Sequence, residues 1–96
     1  MTAQDVIERL QATRSEWEPF GVAAMFLFGS VSRDEAREES DIDLMVEFSK
    51  PVGLFEFIGL QTRLAELLGR RVDLVTPAAL KPRIRDRVLA EAIRAA

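Results

Sequence analysis

Three aspartates and a glycine–serine pair carry most of the chemistry that this sequence can offer. Asp41 and Asp43 stand two apart in "SDIDLMVEF", where a strand period of two would project both carboxyl groups from one face. Two carboxylates that close repel, and one tends to keep its proton unless a cation intervenes. A divalent ion resolves the conflict, and Mg²⁺ takes oxygen ligands of this kind. Asp73, in "RVDLV", is a lone acid between Val72 and Leu74, which share the opposite face. A charge in an apolar strand is costly to bury alone, so Asp73 is a candidate to join the pair if its strand lies near theirs. The plainer readings are a polar loop–strand junction at Ser40 and Asp41, and an ion pair from Asp73 to Arg70 or Arg71.

Gly29 and Ser30 close the apolar run Val22–Phe28. Glycine at a strand end permits close backbone approach, and the serine can donate both a hydroxyl and an amide hydrogen. A helix starting there would turn its positive end to the same place, which suits phosphate oxygens. Ser30 precedes Asp41 by 11 residues, with Arg33 between, so phosphate contacts would stand beside a metal site. The chain has no His, Cys or Tyr, which removes serine–histidine triads, thiol nucleophiles, zinc sites and tyrosine bases. Chemistry must then rest on carboxylates, a metal they hold, Ser, Lys or Arg.

These residues need elements to position them. Thr2 with Asp5 three residues on reads as a capped helix start, and the apolar spacing predicts one helix over 3–17, ended by Pro19 and Gly21. Val22–Phe28 reads as a central strand, and 31–39 as two helical turns. Over 41–48, Ile42, Leu44, Val46 and Phe48 alternate with Asp41, Asp43, Met45 and Glu47. Leu54, Phe57, Ile58, Leu64, Leu67 and Leu68 form the stripe of a helix that Gly69 ends. Residues 72–75 make a third strand, and Pro82 opens a last helix with Leu80, Ile84, Val88, Leu89 and Ile93 as its buried face. The order of elements predicts an α/β (α+β) fold: a small mixed sheet covered by helices.

At 96 residues and 48% hydrophobic, the chain reads as a single domain over 1–96. Its longest apolar run is far short of the ~20 residues of a membrane helix, and the N-terminus lacks the apolar stretch of a signal peptide. A soluble cytoplasmic protein is the expectation. Residues 1–69 hold 13 acidic and 6 basic side chains, whereas 70–96 hold 3 acidic and 7 basic. That basic segment is short for nucleic-acid binding, which is not expected.

"GSVSR" followed by "SDIDLMV" resembles the signature of the DNA polymerase β-type nucleotidyltransferase superfamily, and the length resembles its minimal (MNT) branch. The likeness runs through "LFGS", "SDIDL", "VDLV" and the closing "LKPRIRDRVLAEA". The resemblance implies a nucleotidyltransferase fold and two Mg²⁺ ions, held by Asp41 and Asp43 with the nucleoside triphosphate. Asp73 would complete the catalytic metal site and help to deprotonate the acceptor hydroxyl. Gly29 and Ser30 would hold the terminal phosphates, with Arg33 assisting. It further implies transfer of AMP from ATP to a protein hydroxyl, by an antitoxin that neutralises a helical HEPN-type toxin. The alternative is a non-catalytic antitoxin that acts by occupying its partner. Oligomeric state is left open. The elements not used by the site are expected to leave no concave pocket for a small acceptor. A macromolecular acceptor would then dock partly on the last helix, bordered by Lys81, Arg83, Arg85 and Arg87.

Overall fold

The computed structural model describes residues 2–29 and 41–96. Helix α1 (Ala3–Ala12) starts at Thr2 with the expected capping box: the Asp5 amide donates to the Thr2 hydroxyl, and the Thr2 amide donates to the Asp5 carboxylate. The helix expected over 3–17 is broken at Thr13. There the Thr13 hydroxyl donates to the Arg9 carbonyl at 2.8 Å, and the Trp17 indole donates to the Leu10 carbonyl at 2.9 Å. Side chains thus take carbonyls at the end of the ladder, and a separate short helix follows, α2 (Arg14–Trp17). Trp17 is buried beneath it.

Among the described residues, four strands form one sheet: β1 (Val22–Phe28), β2 (Ile42–Phe48), β3 (Val72–Val75) and β4 (Ile93–Arg94). Their order is β3-β2-β1-β4, with β2 and β3 parallel and the other pairs antiparallel, so the sheet is mixed as expected. Helix α3 (Leu54–Leu68) supplies the crossover that the parallel pair requires, and Gly69 caps it in the left-handed conformation. Helix α4 (Pro82–Glu91) stops earlier than expected. Ile93, assigned to that helix from sequence, instead pairs with Leu27 in β4. Two residues are too few for any periodicity to register.

Cross-strand partners sort the side chains by face. Met25–Val46, Leu27–Leu44 and Ile42–Val72 lie on the core face, joined by Val6 and Leu10 of α1 and by Leu60, Leu64 and Leu68 of α3. Phe28–Asp43 and Asp43–Asp73 lie on the other face. Met45 shares that second face, as the alternation predicts, but is buried there, so the sheet is covered on both sides.

Two helical stripes need correction. In α3, Leu54 and Ile58 are exposed, because at 3.6 residues per turn they sit roughly 80° and 120° around the helix from the centre of the buried stripe. Of the five residues expected to form the buried face of the last helix, Val88 alone is buried, while Leu80 is half-buried and Ile84, Leu89 and Ile93 are exposed. Ile84 faces a cleft beside β1 rather than the sheet itself.

Candidate active site

Parallel pairing of β2 with β3 sets Asp43 directly opposite Asp73. Antiparallel pairing on the other side sets Asp43 opposite Phe28, the last residue of β1. The next residue, Gly29, has φ +73, a conformation that side chains rarely adopt. A Cβ there would collide with Oδ2 of Asp43 and lie 3.1 Å from its Cγ. Glycine is therefore needed twice, for the turn and for the carboxylate that packs against it.

Asp43 is half-buried, and its carboxyl is pushed up to about 6. Burial is the main cause, followed by the charges of Asp73 and then Asp41. Asp43 thus lies within electrostatic reach of both Asp73 and Asp41. Asp41 precedes β2 and accepts from Arg71 Nε at 3.1 Å. Arg71, one of the two candidate partners for Asp73, is thus paired with Asp41. Asp73 itself is exposed.

The donor chemistry suits a hard cation: the three side chains offer only oxygen, and a half-buried carboxylate with a raised pKa gains from a nearby positive charge. As the side chains stand, no group of three acidic residues among those described is gathered into a metal cage. Ser30, Arg33 and the short helix expected over 31–39 lie outside the described residues.

Beside Gly29 opens a cleft of about 590 Å³. Phe28 and Gly29 form one wall, and Lys81, Arg83, Ile84 and Arg87 contribute to the other. The expectation that no concave pocket of small-molecule size remains is thus corrected. Its signal in the sequence is the i, i+4 spacing of Arg83 with Arg87 and of Ile84 with Val88, which puts both pairs along one side of α4.

The mixed sheet thus sets Asp43 and Asp73 side by side, with Asp43 packed against a strand-end glycine. Residues 7–95 match the family described as nucleotidyltransferase domain, and the chain belongs to that family. It is 42% identical over 94 residues to the protein adenylyltransferase MntA of Thermococcus cleftensis, which covers 97% of this chain and 95% of that one. A solved structure provisionally assigned as a minimal nucleotidyltransferase matches with a TM-score of 0.82 at 42% identity, over 97% of this chain and 95% of that chain. A chain from the complex of tri-AMPylated Shewanella oneidensis HEPN toxin with MNT antitoxin shares the fold. Its TM-score is 0.68 at 21% identity, over 99% of this chain and 72% of that one. No helix among the described residues is long and apolar enough to cross a membrane.

Proposed function

We propose that this protein transfers AMP from ATP to a hydroxyl of a helical, HEPN-type partner protein, and so acts as the antitoxin of that pair. The whole activity is assigned to a single domain over residues 1–96. The observation that carries the reading is the register of β2 and β3, which faces Asp43 with Asp73 beside Gly29. The name of the Thermococcus relative supports adenylyl transfer to protein, and the toxin–antitoxin neighbour supports the class of partner.

In this reading Asp41, Asp43 and Asp73 would hold Mg²⁺, which would supply positive charge to the reaction at phosphorus. Asp73, exposed on β3, accepts the proton of the acceptor hydroxyl. The hydroxyl oxygen forms a bond to the α-phosphorus as the bond from that phosphorus to the α,β-bridging oxygen breaks. Pyrophosphate departs with the electron pair. Gly29 gives the phosphates close access to the backbone, with Ser30 and Arg33 as further phosphate contacts. The chain has no tyrosine, so a tyrosine acceptor would belong to the partner.

The test is incubation of the protein and a co-expressed HEPN-type partner with ATP labelled at the α-phosphate. Label on the partner is expected. Full neutralisation of an unlabelled partner would favour the occupancy mechanism instead.

A further inference from the structure

The basic residues of the last helix do not surround it evenly. Arg85 donates to the Pro77 carbonyl at 3.1 Å, a contact within the fold. Lys81, Arg83 and Arg87 instead line the cleft at Gly29; among the described lining residues Glu91 is the one acid, paired to Arg87 at 3.8 Å. Among the described residues of the lining, cations thus outnumber carboxylates three to one. The cleft begins at the residue whose backbone rests on Asp43. An anion there would therefore continue directly from the acidic centre.

We infer that Lys81, Arg83 and Arg87 bind the β- and γ-phosphates of the nucleotide, the part that leaves as pyrophosphate; this rests on the nucleotidyl-transfer reading above. The cleft volume of about 590 Å³ is ample for that group. Electrostatics argue for division of labour. The carboxylates lie on the side of Gly29 toward β2 and β3, whereas a triphosphate carries more negative charge than a cation held there would neutralise. Guanidinium groups match phosphate oxygens in charge and geometry, and Arg83 and Arg87, four residues apart, can reach one group together. Charge of this kind also stabilises a leaving pyrophosphate as its negative charge grows. The basic helix then serves the substrate, in place of the partner-docking role that its charge alone suggests.

The experiment measures calorimetric binding, with Mg²⁺ present, of a non-hydrolysable ATP analogue, inorganic pyrophosphate and AMP. The wild type is compared with Arg83→Ala/Arg87→Ala and with Arg85→Ala, all checked for folding by circular dichroism. The double variant is expected to lose on the order of tenfold or more in affinity for the analogue and for pyrophosphate. Its affinity for AMP and the behaviour of Arg85→Ala should match the wild type. Unchanged analogue affinity in the double variant would overturn the inference, and slower association with the partner would then return α4 to a docking role. Equal loss for AMP would also overturn it, by placing the arginines at the nucleoside. A wild type that binds none of the three ligands would defeat the nucleotidyl-transfer reading itself.

Discussion

At Asp43, burial and two neighbouring carboxylates act against the charge that the chemistry needs. Its folded-state value of about 6 stands above the ordinary 3.8, so the folded chain holds the proton more tightly than the unfolded chain. The stabilisation from that proton is complete below the unfolded value and is lost as pH rises through about 6. Above that, the ionised group is a liability. Asp43→Asn should therefore stabilise the metal-free protein at pH 7.5 by about 1 kcal/mol, a figure discounted for the carboxyl's partial exposure. The gain should vanish below pH 4, and denaturant titrations at both pH values in EDTA would check it. A difference independent of pH would show that the charge is not the cause. Two of the left-handed glycines, Gly69 and Gly29, give a second test. Gly69→Ala meets no atom within 4 Å, so its cost should be only the backbone term of about 1–2 kcal/mol. Gly29→Ala adds the collision with Asp43, and should cost more and weaken ATP binding. Equal destabilisation of the two, with ATP binding intact, would mean that the contact at Asp43 has little consequence.

Among the elements, legibility followed the length and strength of the local pattern. β1 and β2 were plain, because a seven-residue apolar run and a strict alternation admit few other readings. Asp41, Asp43 and Asp73 were legible for the same reason, since a strand period fixes their side. Their mutual approach was not, because only the β2–β3 register supplies it. Thr13 ends α1 through side-chain competition for carbonyls, which apolar spacing does not register. The reading of α4 failed because its apolar residues serve two surroundings: Val88 is buried, while Ile84 lines the cleft. The stripe of α3 yields a contrast. Leu64→Ala should cost about 2–5 kcal/mol, because the side chain is fully buried between α3 and the sheet. Phe55→Ser, at a position 89% exposed, should stay within about 0.5 kcal/mol of the wild type. Chemical denaturation would check both, and comparable losses would contradict the assigned face.

For the whole molecule, the uneven charge of the sequence acquires a spatial meaning. The acidic stretch contributes Asp41 and Asp43, the basic one contributes the cleft wall of Lys81, Arg83 and Arg87, and Gly29 stands between them. An acidic centre for a cation beside a basic cleft for an anion is the division that a metal-assisted reaction of a triphosphate calls for. The central claim is that this arrangement transfers the α-phosphoryl end of ATP to a partner protein. Its most direct measurement follows two labels in parallel, one at the α-phosphate and one at the γ-phosphate, with wild type and Asp43→Asn. The account predicts that the wild type puts only the α label on the partner, that the γ label leaves as pyrophosphate, and that Asp43→Asn transfers neither while still folding. Transfer of the γ label, or undiminished transfer of the α label by Asp43→Asn, would contradict it.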